Sequence, residues 1–261
     1  MNVVLPHALD LSGKRGLITG IANDQSIAWG CAKAMHELGA ELAVTYATAK
    51  AQSYVRPLAE QLGCPIFMQC DVQQPGQLEA VFREIEARWG RLDFLLHSIA
   101  FAPREDLHGR VIDCSREGFG LAMDVSCHSF IRMAKLAEPL MTRGGYLLTV
   151  TYIGADEVIP NYNIMGPVKA ALEATSRYLA AELGPQGMRV HAISPGPLAT
   201  RAASGITDFD ALLETAASRA PLRRVVRIEE VGALAAFLVS DVASGMTGND
   251  CFVDAGYHIT G

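Results

Sequence analysis

Residues 15–39 read RGLITGIANDQSIAWGCAKAMHELG, and their order decides the fold. Arg15 to Thr19 is a short apolar run after Ser12-Gly13, which reads as a buried strand. Gly20 to Ala28 is a turn of small residues, and the apolar spacing beyond it carries a helix to Gly39. Strand, small-residue turn and helix start form the arrangement that cradles a pyrophosphate. Free N–H groups and the positive end of the helix face the anion, and small residues admit its close approach. The usual G-x-G-x-x-G is absent: Gly20 is kept, but Ser26 and Ala28 stand where later glycines would fall. On spacing alone, an ordinary tight βα turn accounts for the segment equally well.

The same alternation continues along the chain. Further strands are expected at Glu41 to Tyr46, Pro65 to Cys70, Leu92 to Leu96, Gly145 to Thr151, Met188 to Ile193 and Asn249 to Val253. Helices are expected at Gln52 to Gly63, Gln73 to Trp89, Arg116 to Met141, from Tyr162 toward Gly184, and at Ile228 to Ser240, with Phe101 to Cys114 a polar loop. Strands that are nearly continuous in apolar residues and alternate with helices argue a parallel sheet covered on both faces. The expected fold is therefore α/β: a Rossmann-like, doubly wound, mostly parallel seven-stranded sheet in a single domain spanning residues 1–261. Such sheets bind ligands at the carboxyl ends of their strands, so Gly20, Asp71 and Ser98 should gather along one edge. Asp71 could instead cap the helix that follows it. The second strand is followed by Ala47-Thr48-Ala49-Lys50, with no acid for ribose hydroxyls and no arginine for a 2′-phosphate. That points to NADH rather than NADPH, because nothing there neutralises the extra phosphate.

Bulk properties narrow the function classes. Half of the 261 residues are apolar and 19% are charged, enough to build a large core. A net charge of −6 argues against a general nucleic-acid surface. The start, MNVVLPHALDLSGKRG, has no basic region followed by an apolar run, and no apolar run reaches about 18 residues, so neither a secretory signal nor a membrane span is expected. The six cysteines form no C-x-x-C pair and no zinc-site spacing, which suits free thiols in a reducing cytoplasm and predicts no metal.

Residues 160–184, PNYNIMGPVKAALEATSRYLAAELG, place Tyr162 and Lys169 seven apart. That spacing returns to the same helix face two turns on. A phenol and an ammonium on one face suit a reaction that builds negative charge on a substrate oxygen beside a cofactor. Pro167 lacks an N–H, so the regular ladder should begin only a few residues before it. Thr149, on a strand expected to be buried, reads as packing.

With these blocks in order, the chain resembles a short-chain dehydrogenase/reductase, and within that superfamily the divergent enoyl-acyl carrier protein reductases of bacterial fatty acid synthesis. The resemblance spans nearly the whole chain. Its most specific block runs from Tyr152-Ile153-Gly154-Ala155 through Pro160-Asn161-Tyr162-Asn163-Ile164-Met165-Gly166 to Lys169. The common branch has Tyr and Lys four apart; here Tyr162 plus four is Gly166. Supporting blocks are Ser26-Ile27-Ala28, Cys70-Asp71-Val72, His97-Ser98-Ile99 with Phe101-Ala102-Pro103, Arg116-Glu117-Gly118-Phe119 and Ala202-Ala203-Ser204-Gly205-Ile206.

The resemblance implies a role for each site residue. Tyr162 would bond the thioester carbonyl of a trans-2-enoyl substrate while hydride from NADH reaches the β-carbon. Lys169 would hold the nicotinamide ribose, and Tyr152 would line the acyl pocket. Gly20, Ser26 and Ile27 would meet the pyrophosphate, Asp71 and Val72 the adenine, and Ser98, Ile99 and Ala100 the ribose. Leu198 would contact the carboxamide and Thr200 a phosphate. Ala102 would join the substrate wall, and a flap at about 197–220, with Ala202 and Ile206, would close on substrate. An acyl carrier protein as partner, a homotetramer and a cytoplasmic location are implied likewise. Ala100, Thr151, Pro167, Pro195 and Ala199 depart from the family's usual residues, which leaves acyl-chain preference open. Arg219, Arg223, Arg224 and Arg227 fall within nine acid-free residues: they either dock an acidic carrier or pair with this chain's own Glu229 and Glu230. Rival readings are a 3-oxoacyl or ketone reductase of the same superfamily, and a non-catalytic NADH sensor.

Overall fold

A computed structural model describes residues 9–198, 200 and 209–260. Seven strands form one sheet: β1 (Arg15–Thr19), β2 (Glu41–Tyr46), β3 (Ile66–Gln69), β4 (Phe94–His97), β5 (Gly145–Val150), β6 (Met188–Pro195) and β7 (Asn249–Val253). Their order is β3-β2-β1-β4-β5-β6-β7. Every neighbouring pair is parallel, so the sheet is wholly rather than mostly parallel. Chain order reverses between β1 and β4, which opens a crevice at their carboxyl ends.

Successive strand residues point to opposite faces, and both faces are dry. Ile18, Val44, Leu96 and Leu148 join one core with helices α1 (Ile27–Glu37), α2 (Ala49–Gln61) and α9 (Ile228–Leu238). Leu17, Ala43, Leu95 and Leu147 join the other core with α3 (Gln77–Trp89), α6 (Ser129–Ala137) and α7 (Met165–Leu183). Burial on both faces is why these strands carry no polar alternation.

Several boundaries differ from the sequence reading. The helix α2 starts earlier, because Thr48 caps it, its Oγ1 accepting from Ala51 N at 3.2 Å. The helix α3 starts later, after Gly76 at φ +83°. The loop at 101–114 contains a short helix, α4 (Arg104–Leu107), and a 3₁₀ turn at Val111–Asp113. The single helix expected over 116–141 is instead α5 (Arg116–Met123), a π turn (Asp124–His128), α6 and a 3₁₀ turn (Glu138–Leu140). The π turn adds a residue that lets Ser126 turn toward the 101 loop. Pro139 has no N–H to continue the helix. As Pro167 demands, α7 begins only at Met165. The last helix before β7 is preceded by α8 (Phe209–Arg219).

Candidate active site

The carboxyl ends of β1, β4, β5 and β6 surround a cleft of about 330 Å³. Its walls include Ile27, Ala100, Ala102, Tyr152, Tyr162, Lys169, Leu198 and Thr200, which brings together eight of the residues singled out in the sequence. Phe101, Leu107, Met165 and Leu212 add to the apolar part of the wall, and Thr151 lines it as well. Ala202 and Ile206 lie outside the described residues, as does most of the expected flap.

The turn after β1 is shaped for close approach. Gly20 has φ +95°, and a β-carbon there would stand 1.9 Å from the Ser98 carbonyl oxygen. The ends of β1 and β4 thus meet backbone to backbone. Ser26 Oγ accepts from Ala22 N and Asn23 N, both at 3.0 Å, and donates to Asn23 Oδ1 at 3.2 Å. It folds the turn on itself and leaves the first turn of α1 without a side-chain cap and without an acid. Such a helix start accepts an anion.

Asp71 follows β3 and accepts from Gln73 N at 3.0 Å, while its own N–H donates to Gln77 Oε1 at 2.8 Å. It closes a local turn rather than capping α3, whose N-cap is Gly76. Val72 is buried, and its carbonyl accepts from Arg132 Nη1 at 2.9 Å. The Ile99 side chain packs into the α3 core, leaving its backbone for the site. Beyond β2, Thr48 is committed to capping and Lys50 is exposed.

The helix α7 grips the end of β5. Lys169 is only 5% exposed, and its ammonium donates to the Val150 carbonyl at 2.6 Å. Burial lowers its pKa to about 8, so it still carries most of its charge at neutral pH, with two further N–H donors on the cleft wall. Tyr152 and Tyr162 stack edge to face, their ring centroids 5.0 Å apart. Among the described residues the buried Tyr152 hydroxyl has no hydrogen-bond partner, which leaves a donor on the cleft wall that a ligand could satisfy. Burial, then the neighbouring Tyr152 and Glu173, push the Tyr162 phenol well above its ordinary value. It therefore stays protonated and able to donate.

Two asparagines set the position of Tyr162. Asn161 and Asn163 both have positive φ, 63° and 46°, a conformation asparagine tolerates better than most residues. Asn163 Nδ2 also donates to the Leu107 carbonyl at 2.6 Å, tying the tyrosine turn to the opposite wall. Thr149 is fully buried and bonded to His97 Nδ1 at 2.9 Å, so it does not reach the cleft. Burial, aided by the Lys169 charge, lowers the His97 pKa to about 3, which keeps its ring neutral between Thr149 and Ser129.

A dinucleotide fits these features. The buried ammonium of Lys169 and the phenol of Tyr152 line the cleft, which reaches the open start of α1 at Ile27; the glycine-pinched turn, Ser26, Asp71, Val72, Ser98 and Ile99 lie outside its walls. The arginine pair Arg224 and Arg227, by contrast, converges on Glu230. Arg224 makes two bonds to it, at 2.7 and 2.8 Å, and Arg227 lies 3.9 Å away.

Comparison with known proteins follows the same line. A family model described as Enoyl-(Acyl carrier protein) reductase matches residues 20–258. The chain is 50% identical over 251 residues to enoyl-[acyl-carrier-protein] reductase [NADH] 1 of Rhizobium meliloti (strain 1021), covering 96% of this chain and 92% of that one. A crystal structure of the Anaplasma phagocytophilum enoyl-(acyl-carrier-protein) reductase with NAD superposes with a TM-score of 0.92 at 47% identity, covering 96% of each chain. The Bacillus cereus enoyl-acyl carrier protein reductase, solved with NADP+ and an indole naphthyridinone, gives 0.94 at 46% identity, covering 97% of this chain and 99% of that one.

Proposed function

Since this chain belongs to the enoyl-(acyl carrier protein) reductase family, we propose that Tyr162, Lys169 and Tyr152 carry its reaction. The chain is an NADH-dependent oxidoreductase of fatty acid biosynthesis. It reduces the trans-2 double bond of an enoyl thioester. Gly20, Ser26, Ile27, Ser98, Ile99, Ala100 and Lys169 would hold NADH, whose chemistry is the supply of a hydride to the substrate β-carbon. Asp71 and Val72 would hold its adenine, and Leu198 and Thr200 its carboxamide and phosphate.

Tyr162 donates a hydrogen bond to the thioester carbonyl oxygen. As the double bond is reduced, negative charge builds there as an enolate, and a donor placed at such an oxygen contributes about 3–4 kcal/mol. Burial suits the phenol to this task, because a group held above its ordinary pKa does not ionise at working pH. Lys169 adds a positive field from the same cleft wall and binds ribose hydroxyls with the donors that Val150 leaves free. Tyr152 packs on Tyr162 and presents its hydroxyl to the acyl pocket beside Ala102.

The observation that carries this reading is the convergence of Tyr152, Tyr162 and Lys169 on one cleft beside the pyrophosphate turn. The substrate arrives on an acyl carrier protein. Family membership also suggests a single domain that assembles as a homotetramer in the cytoplasm. Among the described residues no helix is long and apolar enough to cross a membrane. The test is NADH oxidation with crotonyl thioester for wild type, Tyr162→Phe and Lys169→Ala. A sharp loss in both variants supports the assignment. Unchanged turnover in Tyr162→Phe, or reduction of acetoacetyl thioester in place of crotonyl, overturns it.

A further inference from the structure

The helix α7 and the turn before it hold three successive residues at the end of β5, and only two of those contacts belong to the site described above. Lys169 takes the Val150 carbonyl, and Tyr162 takes the Tyr152 ring. Between them, the Thr151 hydroxyl donates to Glu173 Oε1 at 2.6 Å. Glu173 lies one helical turn beyond Lys169 and is 4% exposed. Acids are almost never so buried without a reason, and a carboxylate hydrogen bond of this length is a strong one.

Thr151 itself is 2% exposed, and its own N–H donates to the Ile193 carbonyl of β6 at 2.8 Å. It lines the cleft between the two groups the reaction uses. Leaving Glu173 without Thr151, or Thr151 without Glu173, strands a buried polar group. The pair is therefore a rigid pin through the point where strand and helix must keep register. The groups facing Glu173 include Lys169 and Arg177 on its own helix, Tyr162 from the turn before it, Asp156 from the turn after Tyr152, and Asp250 from β7. Arg177 is engaged by Asp250 at 2.8 Å, which leaves Thr151 as the partner Glu173 holds.

We propose that Glu173 is a positioning residue of the reductase: acting through the Thr151 hydroxyl, it fixes the Val150–Tyr152 segment against which Lys169 and Tyr162 are aligned. This rests on the reading of the cleft given above. The residue touches neither substrate nor cofactor, and its effect is on alignment.

The experiment compares Glu173→Ala, Glu173→Gln, Thr151→Val and Thr151→Ser in the full chain. Steady-state kinetics use crotonyl thioester, with NADH affinity by fluorescence titration and folding by thermal denaturation. Glu173→Ala and Thr151→Val should each lower kcat by about tenfold in the folded protein, the scale of a lost charged hydrogen bond. NADH affinity should change by less than threefold. Glu173→Gln keeps an acceptor and Thr151→Ser keeps the hydroxyl, so both should return kcat to within about threefold of wild type. The Glu173→Ala/Thr151→Val double variant should be no slower than either single variant, as expected of one shared interaction. A normal kcat in folded Glu173→Ala, additive losses in the double variant, or failure of both conservative variants to rescue would overturn the proposal. A wild-type enzyme inactive on crotonyl thioester would instead refute the reading of the cleft.

Discussion

Gly154 lies directly beneath the ring of Tyr162. A β-carbon at residue 154 would stand 2.5 Å from the Tyr162 Cδ1 and 2.8 Å from its Cε1, with the Tyr152 Cδ1 at 3.3 Å. Both site tyrosines thus rest on a residue that has no side chain, and their edge-to-face geometry depends on that gap.

Gly154→Ala is expected to fold, because Gly154 lies in a short 3₁₀ turn at Ile153–Ala155 and its φ is not positive. The added methyl must push the Tyr162 ring aside by several tenths of an ångström or more. Misplacing a donor at the developing oxyanion removes most of its value, so kcat should fall by about 10²-fold. NADH affinity should hold, since Lys169 and the Gly20 turn are untouched. Wild-type turnover in Gly154→Ala, measured with crotonyl thioester, would show that the ring does not need this seat.

The turn that carries Tyr162 offers a second test. Asn163 has φ 46° and donates to the Leu107 carbonyl. Glycine accepts that backbone freely, and valine does not. Asn163→Gly should keep the tyrosine turn but release the wall at Leu107, raising KM for the thioester more than it lowers kcat. Asn163→Val should lose about 1–3 kcal/mol of stability and, with the turn redrawn, most of kcat. Equal kinetics in the two variants would separate the asparagine conformation from the placement of Tyr162.

Much of this site was legible in the chain, and the parts that were not share a cause. The inner strands are readable because both faces of the sheet are buried there, which makes β4 and β5 nearly continuous apolar runs, while the edge strands β3 and β7 are only partly buried. The Tyr162–Lys169 pairing was legible as a pairing but not in its geometry: Lys169 lies on α7, whereas Tyr162 precedes the helix, in a turn between Asn161 and Asn163 at positive φ, so helical spacing does not set its face. Glu173 left a signal that went unused: it lies four residues past Lys169, on the stripe that also buries Leu172 and Ser176, where an acid must have a partner. The π turn left none. Residues 116–141 have helical periodicity throughout, and the extra residue is held by contacts across the fold. Ser126 Oγ meets both the N–H and the carbonyl of Phe101, at 2.9 and 3.1 Å, and Cys127 Sγ meets Thr175 Oγ1 at 3.4 Å. The walls supplied by Leu107 and Leu212 depend likewise on how distant segments meet. Asp71 was legible as a polar strand end, but local spacing cannot choose between closing a turn and capping a helix.

Two buried groups should pull the stability of the protein in opposite directions as pH changes. Burial, with Lys169 beside it, holds the His97 pKa near 3, against an ordinary 6.5. The unfolded chain then binds a proton that the native state refuses, so His97 lowers stability as pH falls from about 6.5 toward 3. Burial raises the Glu173 pKa to about 7, against an ordinary 4.5. Here the native state keeps a proton that the unfolded chain releases, so Glu173 lowers stability as pH rises from about 4.5 to 7. Urea unfolding across this range should show Glu173→Gln gaining on wild type as pH rises. His97→Gln should gain on wild type as pH falls. Differences that stay constant with pH would mean that neither group carries its native-state shift.

The basic stretch after α8 bears on how a carrier protein approaches. Its four arginines are no longer equivalent once their partners are known. Arg224 is bound through two hydrogen bonds to Glu230, the acid that also accepts from the Arg227 N–H at the start of α9. Reversing Arg224 would disturb that helix start and confuse docking with folding. Arg219 is held over the Tyr257 ring and on the Thr260 carbonyl. Arg223, on the Ser218 carbonyl, and Arg227, whose side chain is 77% exposed, are the better probes. Arg227 borders a depression of about 310 Å³ that shares Leu198 with the catalytic cleft, so an acidic partner resting there would stand at its mouth. Charges at the rim of an interface act mainly on association, and salt screens them. Arg223→Glu with Arg227→Gln should therefore lower kcat/KM for carrier-bound enoyl substrate about tenfold at low ionic strength and less at high. Turnover of a small crotonyl thioester should be unchanged in both conditions. Equal losses on the two substrates would place these arginines in the fold of the α8–α9 connection rather than in the path of the carrier.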